Sequence, residues 1–466
     1  MKHSVHNVPW DLLVSSFEWR FSNPCKQNAE DFHWSREPTR GEQLTSFAKA
    51  FAEAVEDGAA CERMNFPENY DKPDPDEIVL SDEVCQRIMP TVHQWRSSPS
   101  CYHDYDPKST VICPHKHTEG SEVSCKCALP QRERKAAAFY REKQDNDCFE
   151  FHHYNRWPFF NLEVFKILLL HGEMDALLKI HSDPVLLLLK TYPEIYLNPL
   201  RHELELWWGA EACQCEGPDL GWEHISGHAL KAYLLLNMIQ HLPAMGESVD
   251  GAQGRYLNAR SYQATIRTIT QSGGNSEVAT YPHRRFFGIA NEQFEKNWEL
   301  RTKRTKNTNH LQHENPALGK TSYQRFLTSQ NRVGYVPLAS DIDEVRWALQ
   351  AKSLPREVID QIMDTAQYGA STRRLRIEHD PLHPENRIEL EKYLSYCWKL
   401  MVWSQLVADE IGMDLHWEKL VSKALIDIFS CDCDHWRTEL SLDPERLHGH
   451  VARLSATRAS SPSTSA

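Results

Sequence analysis

The stretch ELEKYLSYCWKLMVWSQLVADEIG, residues 389–412, decides the fold class of this sequence. Its apolar side chains recur every three or four residues, which is the spacing of one face of a helix, and charged residues take the other faces. Gly412 suits the end of such a helix because glycine readily adopts the left-handed conformation found there. The stretch therefore predicts a long amphipathic helix whose buried face consists of Leu390, Tyr393, Leu394, Cys397, Trp398, Met401, Val402 and Leu406.

Helical periodicity continues on both sides of this stretch. LPREVIDQIMDTAQY, residues 354–368, carries an apolar stripe that includes Ile359 and Met363, and HWEKLVSKALIDIF, residues 416–429, is amphipathic as well. We predict a C-terminal helical domain over residues 336–452. The tail 453–466 has nothing to bury and is predicted to be disordered.

The middle of the chain divides into an apolar half and a polar half. Residues 151–243 contain several apolar helical segments, among them WEHISGHALKAYLLLNMIQHLP at 222–243, and are predicted to form a central helical core. Residues 244–335 are rich in Gly, Ser, Asn and Thr and include the basic run RTKRTK at 301–306. We predict an exposed, partly disordered connection there.

Residues 1–150 are polar and rich in Pro, Asp and Glu, which predicts a loop-rich N-terminal region. Two short helices are expected in it, one over 41–59 and one that starts near 81 and stops at Pro90. We expect both to be small satellites of the core. The fold class predicted from the whole chain is mainly α, with helical hairpins or a bundle joined by long irregular, partly disordered loops.

Composition narrows the class of protein. The 65 acidic residues exceed the 52 basic ones and give a formal charge of -13, which disfavours nucleic-acid binding. The N-terminus lacks the apolar run of a signal peptide, and the apolar run at 185–189 is far shorter than the roughly 20 residues of a membrane span. Thirteen cysteines cannot all pair in disulfides. We expect reduced thiols, no membrane segment, and a place in the cytoplasm or nucleus.

A resemblance rests on LPREVIDQIMDTAQY together with HDPLHPENRIELEKYLSYCWKLMVWSQLVADEIGM. These segments resemble the C-terminal region of uncharacterised proteins from filamentous fungi. The opening, Leu354 and Pro355, is also similar to the first helix of an F-box, a module that docks on an adaptor of a ubiquitin ligase. The sequence then continues with HDPLHPENR, where an F-box has a Leu- and Trp-containing second half. A capped helix with a core-facing stripe is the alternative explanation of the same residues.

A polar stretch of residues 101–127 concentrates the donors that zinc prefers, thiolate sulfur and imidazole nitrogen. The spacing differs from that of common zinc fingers, and adjacent pairs chelate one ion only if the backbone turns, as Pro114 and Gly120 permit. A loop with incidental Cys and His residues is the alternative. The candidate metal ligands are Cys101, His103, Cys113, His115, His117, Cys125 and Cys127.

Weaker patterns of metal-binding residues occur elsewhere. His224 and His228 lie four residues apart on a predicted helix and hence on one face, which suits either a metal or an ordinary polar helix edge. His181 and Asp183 imitate part of an iron-binding triad. Two further Cys-rich groups are either metal donors or ordinary thiols: Cys213 with Cys215, and Cys431 with Cys433 and His435.

The sequence is compatible with two alternative functions, which belong to different classes. No phosphate-binding loop, dinucleotide fingerprint or nucleophile elbow occurs in the sequence, which favours a noncatalytic interaction or regulatory protein with a protein partner. The alternative is a metal-dependent enzyme, or an accessory protein, of fungal specialised metabolism, with a helical pocket lined by His224, His228 and the central aromatic residues. The sequence specifies neither substrate nor oligomeric state.

Overall fold

The chain is mainly α-helical, as predicted. The computed structural model describes residues 8–22, 29–34, 40–96, 129, 131–141, 156–180, 223–242, 255–270, 277–288, 339–365, 375, 377 and 380–429. In chain order the helices are α1 (Trp10–Val14), α2 (Arg40–Arg63), α3 (Asp82–Arg96), α4 (Ala136–Phe139), α5 (Arg156–His171), α6 (Met174–Ile180), α7 (Glu223–His241), α8 (Arg260–Thr270), α9 (Glu277–Phe287), α10 (Ala339–Ala351), α11 (Arg356–Thr365), α12 (Arg387–Glu410) and α13 (Trp417–Phe429). Two strands, β1 (Phe17–Ser22) and β2 (Ala29–Trp34), form an antiparallel hairpin.

Helix α12, which contains most of the stretch 389–412, lies at the centre of the fold. It packs against α2 on one side and against α7 on another, and α13 covers both of these helices. Every apolar position predicted for its inner face is buried. The indole of Trp398 packs 5.7 Å from the Phe51 ring of α2 and 5.5 Å from the Tyr233 ring of α7, measured between centroids. One helix thus joins distant parts of the chain in a shared core.

The N-terminal helices are not the satellites that we expected. Helix α2 is 24 residues long, and its Phe47, Phe51 and Val55 are fully buried in the same core as α12. Helix α3 continues through Pro90 instead of stopping there. We attribute this to packing, because Ile88 and Val92 on either side of the proline are both fully buried. The predicted division of the chain into domains stays a prediction.

The segment predicted as an exposed connection also contributes to the core. Within residues 244–335, helices α8 and α9 pack against each other and against α7, and they bury Tyr262, Ile266 and Ile269. Polar residues between these positions do not prevent burial, and two of them, Gln263 and Thr268, bond to backbone carbonyls. The Gln263 amide, for example, donates to the Leu257 carbonyl at 2.9 Å.

The hairpin β1–β2 was not predicted, and it connects the N-terminus to two helices. Phe17 and Phe32 pack against Phe429 at the end of α13, with centroid distances of 4.5 and 6.0 Å. The Asp31 carboxylate accepts hydrogen bonds from the hydroxyl of Ser261 at 2.5 Å and from its backbone N–H at 3.3 Å, and so caps α8. Burial raises the pKa of Asp31, and the hydrogen bond from Ser261 opposes that rise.

Helix α5 is buried on every side from residue 162 to residue 170, and yet it carries a charged pair. Lys166 donates to Glu163 at 2.6 Å, and Lys166 is only 2% exposed. Burial raises the pKa of Glu163, while the charge of Lys166 and its hydrogen bond oppose the rise. None of the described helices, α5 included, is long and apolar enough to cross a membrane.

This pair predicts opposite outcomes for a single and a double substitution. Lys166→Met leaves a buried carboxylate without its cation and should lower the free energy of unfolding by about 3 kcal/mol, whereas Glu163→Gln/Lys166→Met should be close to neutral. A carboxyl with a raised folded-state pKa stabilises the protein most below its unfolded-state value, so the stability of Lys166→Met should fall as pH rises above the ordinary Glu pKa. Urea unfolding at several pH values measures both effects. Equal losses in the two variants would contradict the prediction.

Candidate functional site

A chain of polar side chains is buried where α7, α9 and α12 meet. It consists of His228 from α7, His283 from α9, and Tyr393 and Cys397 from α12; the most exposed of the four, His228, is 7% exposed. The His228 and His283 rings lie 5.9 Å apart and nearly perpendicular, and the His283 and Tyr393 rings are also 5.9 Å apart. This cluster brings together four polar groups from three helices, a combination that no single motif in the sequence indicated.

Hydrogen bonds link three members of the cluster, namely His283, Tyr393 and Cys397. His283 Nδ1 lies 2.6 Å from the phenol oxygen of Tyr393. Tyr393 also bonds to Cys397, one helical turn later, and this bond acts to lower the pKa of the thiol. The Tyr393 hydroxyl therefore has two partners, an imidazole nitrogen and a thiol, and it can donate its single proton to only one of them.

Burial keeps all four groups uncharged at neutral pH. It lowers the pKa of His283 to about 3 and raises that of Cys397 to about 12, although the Tyr393 hydrogen bond opposes the latter shift. Burial also raises the pKa of Tyr393 well above its usual value. The pKa of His228 is held well below its usual value, first by burial and then by His283, His224 and Lys231. Desolvation thus outweighs every local charge in this cluster.

Two imidazole nitrogens in the cluster have no hydrogen-bond partner among the described residues: Nδ1 of His228 and Nε2 of His283. The hydrogen bond between His228 and the backbone of Ala279 acts to raise the pKa of the imidazole, so the imidazole is the donor and the carbonyl the acceptor. Since Nδ1 has no partner, the donor is Nε2–H. Nδ1 of His228 is therefore a lone-pair acceptor, and Nε2 of His283 is one when Nδ1 of that ring carries the proton.

Aromatic rings pack around Tyr393 of the cluster. Phe286 stacks on Tyr393 with centroids 3.7 Å apart and planes 3° from parallel, and Phe287 contacts the same ring at 5.7 Å. Tyr262 of α8 lies close enough to influence the pKa of Tyr393. Such a shell keeps the local dielectric low, which strengthens the hydrogen bonds inside it and makes any unpaired polar atom costly.

The protonation states limit the chemistry of this cluster. A thiol with a pKa of about 12 is protonated at neutral pH, so Cys397 is not an activated nucleophile. An imidazole with a pKa of about 3 is a weak base, and His283 is poorly suited to general-base catalysis. The cluster is instead suited to accept hydrogen bonds or to donate lone pairs to an ion.

The structure tests only part of the sequence-based site predictions. His224 and His228 do share one face of α7, with ring centroids 6.0 Å apart, as predicted. The candidate zinc ligands of the 101–127 stretch all lie outside the described residues, as do His181, Asp183 and the Cys-rich groups near 213 and 431. Among the described residues, no group of three or more His, Cys, Asp or Glu side chains is placed to hold a metal ion.

A second feature is the helix pair α10–α11, which has a small core of its own formed by Ile342, Ile359 and Met363. Seven large hydrophobic side chains are exposed in the described part of the chain, and three of them are on this pair: Trp347 at 69%, Val358 at 38% and Ile362 at 39%. Exposed apolar side chains concentrated in this way are typical of interaction surfaces. The residues of the F-box-like opening, Leu354 and Pro355, precede α11 directly.

Together the fold and the buried cluster define a mainly α-helical protein with an enclosed, uncharged polar site. Over residues 11–440 the chain matches the family model described as Gramillins biosynthetic cluster protein GRA5, and it belongs to that family. The family agrees with the predicted resemblance to fungal proteins but gives the F-box resemblance no support. No curated protein and no solved structure matches the chain significantly.

Proposed function

We propose that the protein is a noncatalytic accessory protein of a fungal biosynthetic cluster and that it acts by binding a protein partner through α10–α11. The family match supports the pathway context, since it covers most of the chain. The observation that carries the binding role is the exposure of Trp347, Val358 and Ile362 on a helix pair with a separate core. We expect the protein to work inside the cell, in the cytoplasm or nucleus.

The helix pair has features that suit a partner. Val358 and Ile362 are one helical turn apart and form an apolar ridge on α11, which can fit against an amphipathic helix or a groove. Trp347 is the kind of large, rigid side chain that often contributes most of the energy of an interface. The Arg346 guanidinium lies 3.8 Å from Asp360 of the facing helix, so charged groups accompany the apolar ones.

Substituting the exposed side chains tests this proposal. The triple variant Trp347→Ser/Val358→Ser/Ile362→Ser should keep its fold and lose at least about tenfold in partner affinity, because interface energy concentrates in a few apolar anchors. The binding assays use the other proteins encoded in the same biosynthetic cluster as partners, each tagged and purified. Ile388→Ser, which changes a 60% exposed apolar residue on α12, is the matched control.

The outcomes distinguish two kinds of partner, another protein of the biosynthetic cluster and an adaptor of a ubiquitin ligase. Equal affinity in the triple variant and in Ile388→Ser would contradict a role for α10–α11, and so would the absence of any partner among the cluster proteins and ubiquitin-ligase adaptors. Capture of such an adaptor, lost on Leu354→Ala/Pro355→Ala, would identify the partner as ligase machinery. Retention of every partner in that double variant would reject the ligase version.

A further inference from the structure

The two unpartnered nitrogens of the buried cluster need a physical explanation. Both belong to side chains that lie deep in an apolar core, and a buried polar atom without a partner costs free energy. His228 and His283 come from different helices, so two separate elements each place an unpartnered nitrogen in the same cluster. A bound species that accepts two lone pairs would remove both costs together.

Each imidazole has a hydrogen bond at one ring nitrogen and none at the other. Histidines that bind metals usually donate their second ring N–H to a carbonyl or another acceptor, which fixes the tautomer and the ring orientation. His228 donates to the Ala279 carbonyl, and Nδ1 of His283 lies 2.6 Å from the Tyr393 hydroxyl, which also bonds to Cys397.

The ring separation permits a shared ion. A metal–nitrogen bond of about 2.0 to 2.1 Å places the ion roughly 3.2 Å from a ring centroid, so two imidazoles on one ion have centroids at most about 6.4 Å apart. The observed separation is 5.9 Å. The nearby positive charge of Lys231 is balanced by Asp427 of α13, with its ammonium 2.8 Å from the carboxylate.

We propose that His228 and His283 form a buried two-imidazole site for a divalent transition-metal ion, for which neutral imidazole is a preferred ligand. The described residues provide two ligands, and water or a small molecule fills the other positions. This site is distinct from the 101–127 stretch that the sequence indicated. It is also independent of the partner surface on α10–α11, so either proposal can fail alone.

Cobalt(II) titration tests the site, because Co²⁺ occupies nitrogen sites and reports its ligands by visible absorption. The parent protein carries Cys113→Ala, His115→Ala, Cys125→Ala and Cys127→Ala, which remove four of the seven candidate donors of the 101–127 stretch, and is stripped of metal before use. We expect one Co²⁺ per chain, at least tenfold weaker binding in His228→Leu and in His283→Leu, and unchanged binding in His241→Gln. His241 is the control because it lies on the same helix and its Nδ1 bonds to the backbone carbonyl of Asn237.

Melting temperatures provide a second test, in which the parent and His228→Leu should respond differently to added metal. Without metal, His228→Leu should change the melting temperature little, since the removal of the unpaired Nδ1 offsets the loss of the hydrogen bond to the Ala279 carbonyl. With Co²⁺ or Zn²⁺ the melting temperature should rise in the parent and stay constant in the variant. Binding that persists in both leucine variants, or no stoichiometric binding by the parent, would overturn the proposal. If a variant does not fold, X-ray absorption of the Co²⁺-loaded parent decides, because fewer than two imidazoles on the ion would contradict the site.

Discussion

Phe51→Ala should lower the free energy of unfolding by about 3 to 5 kcal/mol, the range for removing a fully buried phenylalanine. The Phe51 ring is wholly inaccessible and lies between Phe47, Tyr233 and Trp398, so its loss leaves a cavity among three helices. The size of this effect follows from the position of α2 in the shared core. Denaturant unfolding followed by circular dichroism measures it.

Lys49→Ala is the control for Phe51→Ala on the same helix. Lys49 is exposed and its pairing with Glu53, at 3.8 Å, is a surface ion pair, so the change should stay within about 0.5 kcal/mol. If α2 were a satellite with little contact to the rest of the chain, both variants would have similar, small effects. A loss below about 1 kcal/mol for Phe51→Ala would therefore reject the shared core.

Gly172→Ala should destabilise the protein by about 3 kcal/mol, since two costs combine at this position. Gly172 ends α5 with a φ of +68°, a conformation that is unfavourable for alanine. A Cβ atom there would also lie 2.8 Å from Cζ2 of Trp403, and closer still to the neighbouring ring atom. Thermal and urea unfolding of the variant measure the sum of the conformational cost and the steric cost.

Gly412→Ala separates the two costs, because it shares only the first. Gly412 has a φ of +64°, and a Cβ atom added there would meet nothing within 4 Å among the described residues, so its substitution should cost only about 1 to 2 kcal/mol. Adding Trp403→Ala to Gly172→Ala should remove the steric part, and the double variant should then lose less than the sum of the single variants. Equal losses at the two glycines would show that α5 and α12 do not approach as closely as described.

The parts of the fold that the sequence predicted are those in which apolar spacing is dense. In α12 the residues from Leu390 to Leu406 repeat without interruption, and all the positions predicted to be buried are buried. Helix α7 lies in the segment 222–243 that was predicted to be a core helix, and its Ile225, Leu230 and Leu234 are buried. Such spacing identifies helices without any knowledge of their partners.

The elements that sequence patterns missed owe their burial to distant partners. Helix α8 carries Gln263, Thr265 and Thr270 among its buried residues, and its polar composition therefore resembled a loop. Its first turn is capped by Asp31, a residue 230 positions away in the sequence. A periodicity argument cannot anticipate a cap or a polar side chain satisfied from another element.

The buried site could be predicted only in part for the same reason. The four-residue spacing of His224 and His228 was visible in the sequence, but His283 and Tyr393 join them only through packing. Tyr393 and Cys397 looked like ordinary positions in an apolar stripe. Nothing local distinguishes a core tyrosine from one whose hydroxyl connects an imidazole to a thiol.

Native-state hydrogen exchange tests most directly whether segments with little apolar periodicity complete the core around α12. We predict that backbone amides of α8 and α9 exchange slowly, with protection approaching that of α12, because all three helices enclose the same buried cluster. Exchange of residues 260–270 and 277–287 at the rate of an unfolded chain, beside a protected 387–410, would contradict a core shared by these helices.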